Sequence, residues 1–319
     1  METGKPLISI LMAVYEPRMD WLKEQLDSLN AQTYPNLRLY VRDDCSPTVP
    51  YVEIQALVEQ CITRFPYQIG RNEKNLGSNL TFERLTREAE GEYFAYCDQD
   101  DVWLPEKLSI LQEALERNGA QLVCSDVLAV DGHGEILANS ITKLRKRHVF
   151  RSGGGLASGL MYRNFVIGCT MLLRAEAARG ALPFLPDMVH DHYLALYCAY
   201  RGEIQSLMEP LVRYRIHGGN QTAVLSGVNT KKDYYTVRIQ TFHRRMMEIH
   251  QRFPTLEMDS ALEWAEARIA YYQKRPHSGR QLWRMRKQNL TTTLFELVTL
   301  KMPLPLFQFA VQLVQCGVL

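Results

Sequence analysis

Apolar, β-branched runs alternate with amphipathic stretches at helical spacing through the N-terminal part of the chain. That alternation constrains the fold more than any other feature. Leu7 to Val14 (LISILMAV) is a continuous apolar run, the pattern of a strand buried on both faces, and it stops at Tyr15-Glu16-Pro17. Trp21, Leu22, Gln25, Leu26 and Leu29 then recur at helical spacing after Asp20. Leu37 to Arg42 reads as a second strand closed by Asp43-Asp44-Cys45-Ser46-Pro47, with a helix around Val52 to Arg64 and a short strand over Tyr67 to Arg71. A helix from about Leu80 to Ala89, a strand over Glu92 to Cys97, a helix opened by Pro105 and a strand over Gln121 to Cys124 continue the series. Such an order predicts an α/β fold with a mostly parallel, doubly wound sheet flanked by helices.

Ligands of doubly wound sheets bind beyond the carboxyl ends of the strands, and the chemically interesting residues follow strands directly: Tyr15, Asp44 and Asp98 to Asp101. Asp98-Gln99-Asp100-Asp101 places three carboxylates at one strand end. They repel one another unless neutralised, and a hard divalent cation with oxygen ligands does this well. A solvated turn with helix-capping aspartates is the competing reading. Asp43-Asp44 could accept hydrogen bonds from a base or ribose, or cap the next turn. His190-Asp191-His192 before a helical pattern fits a metal ligand set, a general base or a helix cap. His217-Gly218-Gly219-Asn220 follows the strand-like LVRYR and reads as a turn.

Composition closes off several classes. The 319 residues are 46% hydrophobic and 23% charged, ordinary for a globular chain, and a net charge of +2 argues against a nucleic-acid binder. Cys45, Cys61, Cys97, Cys124, Cys169, Cys198 and Cys316 are scattered, odd in number and without a C-x-x-C pair, which reads as a reducing compartment without structural zinc. Met1 to Pro6 lacks the regions of a signal peptide, and no uninterrupted apolar window reaches the roughly 18 residues of a membrane span. From Asp131 to Ser158 the periodicity weakens. There Lys143, Arg145, Lys146, Arg147, His148 and Arg151 feed Gly153-Gly154-Gly155, either a loop over an anionic ligand or a solvated connector. Periodicity returns at Val166 to Leu173 and Val189 to Tyr200; Lys231 to Lys274 reads as helices interrupted near Pro254.

Together these motifs resemble family 2 glycosyltransferases. The resemblance rests on SILMAVYEP, on Gln32-Thr33-Tyr34-Pro35-Asn36 followed by LYVRDDCSP, on Asn75-Leu76-Gly77-Ser78-Asn79, and on the run from Gly91 to Asp101. It returns at Gly168-Cys169-Thr170, His190-Asp191 and Tyr214-Arg215-Ile216-His217. It implies a GT-A fold and a sugar-nucleotide donor, with inversion at the anomeric carbon. By the same resemblance Ala13 and Tyr15 line the base pocket and Asp44 hydrogen-bonds the pyrimidine. Asn75 belongs to the nucleotide site, Asp98 lies near the ribose and diphosphate, and Asp100 holds Mg2+ or Mn2+ with His217 as a further ligand. Asp191 matches the catalytic base. The Q-x-x-R-W signature of processive synthases is absent, which favours single additions. VHDHYLALYCAYRGEI through EPLVRYRIHGGN looks like bacterial rhamnosyltransferases of surface polysaccharide assembly, implying a dTDP-rhamnose (or UDP-sugar) donor and a glycan or lipid-linked acceptor.

The expected organisation is a catalytic domain over 1–225, its nucleotide half about 1–125 and its acceptor half about 126–225, followed by a helical region over 226–319. Lys274 to Lys287 is basic with Trp283 and Met285 interleaved, and an apolar tail with Pro303 and Pro305 follows. This suits the anionic inner face of a cell membrane, so a cytoplasmic, peripheral location is expected; a helical subdomain with a solvated basic face and a homo-oligomer interface are the alternatives. Two other functions compete. A sugar nucleotidyltransferase would carry a glycine-rich basic loop where AVYEPRMD stands, and a non-catalytic sugar-nucleotide or polysaccharide-binding protein would not need both Asp100 and Asp191.

Overall fold

The computed structural model describes residues 4–218, 225 and 227–315, and the chain divides into two compact units, Met1–His217 and Gly218–Leu319. Gly219 and Asn220 of the expected turn, and the tail from Cys316, lie outside the described residues.

The first unit opens with β1 (Ile8–Val14), α1 (Met19–Asn30), β2 (Leu37–Asp43), α2 (Tyr51–Cys61), β3 (Tyr67–Arg71), α3 (Ser78–Glu88) and β4 (Tyr93–Cys97). These four strands lie in the order β3-β2-β1-β4, all parallel, so their carboxyl ends share one edge. Every β1 residue except Ala13 is buried, as the unbroken apolar run requires. Leu22, Leu26 and Leu29 of α1 and Ile54 and Val58 of α2 pack into the same core cluster as Ile10 and Leu39 of the sheet. Each such side chain contributes roughly 1.5–3 kcal/mol when fully buried.

Beyond β4 the pattern changes. β5 (Val102–Trp103), α4 (Lys107–Asn118), β6 (Leu122–Val130), β7 (Ile136–Ala138) and two short helices, α5 (Ile141–Leu144) and α6 (Ala157–Leu160), precede a turn at Gly168–Thr170. Then come β8 (Met171–Arg174), α7 (Ala175–Gly180), α8 (His190–Arg201) and β9 (Ile204–Arg215). The sheet continues β4-β8-β6-β9-β5, with β7 on β6. β8 runs antiparallel to both β4 and β6, and β5 antiparallel to β9, so the sheet is mixed rather than parallel in its second half. An apolar run is equally at home in either direction, which is why the alternation alone pointed to parallel pairing.

α4 also begins later than Pro105 suggested. Pro105 sits in the preceding turn, where its carbonyl accepts the Thr33 N–H at 2.9 Å. This turns Lys107 inward: fully buried, its Nζ donates to the Cys169 carbonyl at 2.6 Å and lies over the Trp103 ring.

The second unit is helical. α9 (Lys231–Tyr234) runs through a π-helical stretch, Tyr235–Gln240, into α10 (Thr241–Arg252), followed by α11 (Asp259–Tyr272), α12 (Ser278–Arg284), α13 (Leu290–Thr299) and α14 (Leu304–Gln315). A capping box between Thr230 and Asp233 starts α9, and the Asn289 side chain caps α13 by accepting the Thr292 N–H at 3.0 Å. Tyr234, Ile239, Phe307 and Val311 form its apolar cluster. Beside Tyr234, the Arg268 guanidinium grips the Glu296 carboxylate with both side chains buried. No helix among the described residues is long and apolar enough to cross a membrane.

Candidate functional site

The carboxyl ends of β2, β1 and β4 stand side by side, and each delivers a residue singled out in the sequence. Ala13 is half-buried near the end of β1, and Tyr15 just beyond it exposes 44% of its surface. Gln99 locks this end to the acidic turn, its side chain accepting the Tyr15 N–H at 2.8 Å and donating to the Tyr15 carbonyl at 3.0 Å.

Asp44 follows β2 and is 3% exposed. Its carboxylate accepts from Asn72 Nδ2, Leu76 N and Gly77 N, all at 2.8 Å. Three of its roughly four acceptor sites are therefore spent on the loop before α3. Its first role in this structure is to hold that loop, and one lone pair is left for any direct contact with a base. Asn75 is exposed, and its own Oδ1 also accepts the Gly77 N–H, at 3.0 Å. Gly77 has φ +80 and ψ 158, a region open essentially to glycine alone. Gly77→Ala is accordingly expected to cost about 1–3 kcal/mol and to loosen the loop Asp44 holds, read as a lower denaturation midpoint. An unchanged midpoint would refute the strain argument.

The acidic turn Asp98-Gln99-Asp100-Asp101 connects β4 to β5. Because β5 pairs with β9, Val102 against Arg213, the turn lies against the far end of β9. Arg215 fastens it there: its backbone N–H donates to Asp101 Oδ1 at 3.0 Å and its Nε to the Asp100 carbonyl at 2.9 Å, while Nη2 pairs with Glu24. This brings Asp100 Oδ2 within 2.7 Å of His217 Nε2, across 117 residues of sequence. The His217 ring also lies beside Trp21, tilted 54° to it with ring centroids 5.0 Å apart.

Asp98 is half-buried, and Asp98, Asp101 and Cys169 bring ligand atoms within 4.8 Å of one another. Burial, reinforced by Asp101, Asp100 and Asp191, pushes the Asp98 carboxyl well above its usual range; Lys107 works the other way. Burial raises Asp101 to about 7. The Cys169 thiol is also pushed well up by burial, so it offers no anionic sulfur. Asp100 and His217, a carboxylate and an imidazole side by side at the rim of this acidic cluster, are a donor set that fits a divalent cation.

Asp191 lies in the first turn of α8, close enough to Asp98 to raise its pKa. Burial lifts Asp191 itself to about 6, against the backbone N–H groups of His192 and Gly168 and the charge of Arg145. Gly168 is packed so closely that an added Cβ would stand 3.1 Å from His190 Nε2 and 3.5 Å from Asp191 Cβ. Asp98, Asp100, Asp101 and Asp191 thus converge, with His217 bound to Asp100, while Tyr15 and Asp44 lie at the adjoining strand ends.

His190 belongs to the core instead. It is 6% exposed, stacks near Phe82 (4.1 Å between ring centroids), and neither ring nitrogen has a hydrogen-bond partner among the described residues. Burial lowers its pKa from 6.5 to about 3. The unfolded chain therefore binds the proton more readily, and this residue's contribution, full above pH 6.5, is lost as pH falls towards 3. The slope is about 1.4 kcal/mol per pH unit, so roughly 2 kcal/mol is lost by pH 5. The raised aspartates act in the opposite sense, so the comparison is with His190→Phe. Its unfolding free energy should fall less between pH 7 and 5 than that of the natural chain, and parallel curves would contradict this.

Gln99 and Arg215, which tie the acidic turn to β1 and β9, and Lys107, which joins α4 to the Gly168–Thr170 turn, carry no signal of their own in the sequence. The pairing of β5 with β9 gives Arg215 its place, the turn at Pro105 gives Lys107 its own, and Gln99 is held by Tyr15.

Comparison with known proteins agrees with this geometry. A protein of Nostoc sp. strain PCC 7120, named as an uncharacterized glycosyltransferase, is 24% identical over 86% of this chain and 86% of its own. An uncharacterized glycosyltransferase of Methanocaldococcus jannaschii is 31% identical over 43% of this chain, which spans only 47% of that relative. A Bacillus subtilis protein named for teichuronic acid biosynthesis is 30% identical over 57% of this chain and 68% of its own. Among solved structures, Staphylococcus aureus TarS in complex with UDP-GlcNAc superposes with a TM-score of 0.60 at 14% identity, covering 97% of this chain and 92% of TarS. The mannosyltransferase PcManGT of Pyrobaculum calidifontis, in complex with GDP-Man and Mn2+, gives 0.57 at 15% identity, covering 99% and 87%. These likenesses establish the GT-A fold. The model of glycosyl transferase family 2 matches residues 9–179, from β1 through the acidic turn to α7, and on that match the chain belongs to glycosyl transferase family 2.

Proposed function

We propose that this protein is an inverting glycosyltransferase, moving a sugar from a nucleoside-diphosphate donor to a hydroxyl of a cell-surface glycan or lipid-linked acceptor. The observation that carries the reading is the convergence of Asp98 and Asp100 beyond the carboxyl end of β4, with His217 on Asp100 and with Asp191 of the first turn of α8 close to Asp98. The complexes of TarS with UDP-GlcNAc and of PcManGT with GDP-Man support a sugar-nucleotide donor here.

In this reading Ala13 and Tyr15 border the base, and Asp44 shapes the Asn75 loop beside it. Asp100 and His217 hold the divalent cation, and an imidazole in the set favours Mn2+ over the strictly oxygen-seeking Mg2+. The ion, when bound, neutralises charge developing on the departing diphosphate. Asp191, as a carboxylate, takes the proton from the acceptor hydroxyl as that oxygen attacks the anomeric carbon from the face opposite the diphosphate, which inverts the configuration. A carboxyl held near pH 6 is half-ionised there and still basic enough to accept that proton. Gln99 and Arg215 keep the turn in register.

Rhamnose from a dTDP donor is the favoured sugar, on the resemblance of the segments around Asp191 and His217. Release of nucleoside diphosphate from a panel of dTDP-, UDP- and GDP-sugars, with Mn2+ or with chelator, tests both levels. Turnover of one donor that chelator abolishes supports the transferase. Turnover confined to a donor other than dTDP-rhamnose overturns the sugar, and no turnover by any donor in the presence of a cell-envelope extract overturns the activity.

The second unit supports a place on a membrane surface. Leu290, Leu294 and Val298 recur every fourth residue along α13 and are exposed, as are Trp283, Leu306 and Phe309. Arg280, Arg284 and Lys287 are exposed in and just beyond α12. Such a basic and apolar combination suits anionic lipid, at about 1 kcal/mol per basic residue. The protein should co-sediment with phosphatidylglycerol vesicles, less so at high salt, and replacing those three cations with glutamine should weaken binding about a hundredfold. Equal binding to neutral phosphatidylcholine vesicles, or none to either, would contradict the proposal.

A further inference from the structure

The weakly patterned segment before α6 builds a cavity that the donor site does not use. It has a volume of about 230 Å3 and is lined by Arg147, Arg151 and Arg163, by Ser158 and Gly159 of α6, and by apolar residues including Leu160. No carboxylate pairs with these three arginines among the described residues. All three are exposed at the rim of one small space, a concentration of positive charge that favours an anion, and planar N–H forks are well matched to phosphate oxygens.

The walls are anchored. Arg163 Nη1 donates to the Arg147 carbonyl at 3.1 Å, and Ser206 Oγ to the Arg151 carbonyl at 2.7 Å. Gly153 exchanges backbone hydrogen bonds with Ile204 at the start of β9, at 2.8 and 3.1 Å. The backbones are thereby fixed while the guanidinium heads keep free donors. Gly155 and Gly159 face open space, with nothing within 4 Å of where a Cβ would stand. The volume is below the roughly 300–1,000 Å3 that encloses a drug-sized ligand, yet leaves room for a compact anion and the first atoms attached to it.

Position links the cavity to the reaction. The Leu160 carbonyl meets His192 Nε2, so the end of α6 abuts the first turn of α8, one residue from Asp191. Arg145, in the same basic segment, already acts electrostatically on Asp191. We propose that this arginine-lined cavity binds a phosphate or diphosphate group of the acceptor, holding the acceptor hydroxyl towards Asp191. The proposal rests on the transferase reading and names the acceptor class for it.

Calorimetric titration tests it, with and without saturating nucleoside diphosphate and Mn2+. The probes are geranyl diphosphate, for a lipid-linked acceptor, and glycerol 3-phosphate, for a phosphodiester polymer. At least one is expected to bind the natural chain, and the tighter one identifies the source. Arg147→Gln, Arg151→Gln and Arg163→Gln should each weaken it about tenfold, as loss of a charge-assisted hydrogen bond does. Ser158→Glu, which places a carboxylate in the cavity without removing an arginine, should do the same if the arginine variants fold poorly. Nucleotide binding and donor hydrolysis should be unchanged in all four. Failure of both probes to bind, or equal binding to the variants, overturns the cavity's assignment even where nucleotide binds normally. Phosphate binding that the variants lose, in a protein that binds no nucleotide, upholds the anion site and sinks the donor reading instead.

Discussion

Asp191→Asn is expected to lower the rate of sugar transfer by about 10²- to 10⁴-fold while leaving nucleotide affinity unchanged, the range over which a positioned general base acts. The amide keeps the side chain's volume and can still accept a hydrogen bond from the His192 N–H, so α8 and the Gly168 contact should survive. What it cannot do is take a proton. The pH dependence adds a second signature. With the base near 6 in the free enzyme, kcat/KM of the natural chain should fall tenfold per unit below that pH, because the protonated carboxyl cannot accept the acceptor's proton. In Asp191→Asn that acid limb should vanish from the residual rate. A limb that persists unchanged would move the role of base to another group, with Asp98 the first to consider.

Glu296→Gln is the largest stability effect expected. Arg268 and Glu296 are 3% and 0% exposed, and the pair shares three charge-assisted contacts, Nε to Oε1 and Oε2 at 3.0 and 3.1 Å and Nη2 to Oε1 at 2.6 Å. The guanidinium also lies 4.6 Å from the Trp264 ring centroid. Removing one charge leaves the other buried without its partner, at a cost of about 3–5 kcal/mol. Denaturant unfolding followed by tryptophan fluorescence, to which Trp264 and Trp283 of the second unit contribute, should show that unit's midpoint falling accordingly. The double replacement Arg268→Met with Glu296→Leu should recover most of the loss, since a well-packed apolar pair is often as stable as a buried ion pair. A Glu296→Gln variant within about 1 kcal/mol of the natural chain would mean that the amide oxygen, still held by the Tyr234 hydroxyl, and the Arg238 carbonyl satisfy Arg268 well enough alone.

Much of the first unit was legible from periodicity because β1 and β4 are buried apolar runs, β2 is largely buried, and the helices between them each show one apolar face. β1, β2 and β3 fall within a residue of the runs that announced them. The limits are equally physical. β6 extends to Val130, well past Cys124, because Ser125 and Asp126 interrupt the apolar run yet are buried in the strand. The reversal at β8 depends on which strand it pairs with, and strand direction leaves no trace in composition. Lys107 reads as a solvated helix residue until the turn at Pro105 rotates it inward onto Trp103 and Cys169.

The candidate site divides the same way. Asp98, Asp100 and Asp191 were visible as acidic residues at strand and helix ends, where carboxylates attract notice. Arg215 was visible only as part of a motif, and its hold on the Asp100 carbonyl and Asp101 carboxylate is a product of the β5–β9 pairing. Asp44 illustrates a subtler gap. Its place at a strand end suggested contact with a base, but three donors from the following loop already claim its oxygens. The basic segment from Lys143 to Arg151 left two readings open, and neither anticipated that Arg163, beyond the glycine cluster, would join Arg147 and Arg151 around one cavity.

The central claim is that the acidic turn, with His217 on Asp100, forms a metal-assisted sugar-nucleotide site. Thermal-shift titration with TDP, UDP and GDP, with and without Mn2+, tests it most directly, on the natural chain and on Asp100→Ala. One nucleoside diphosphate should raise the melting temperature only with Mn2+, reaching about 2.7 kcal/mol of added stability at a hundredfold excess over its dissociation constant. Asp100→Ala should lose that increment while melting at its usual temperature without ligand. Stabilisation that ignores Mn2+ and survives in Asp100→Ala, or no stabilisation of the folded protein by any of the three, would contradict the account.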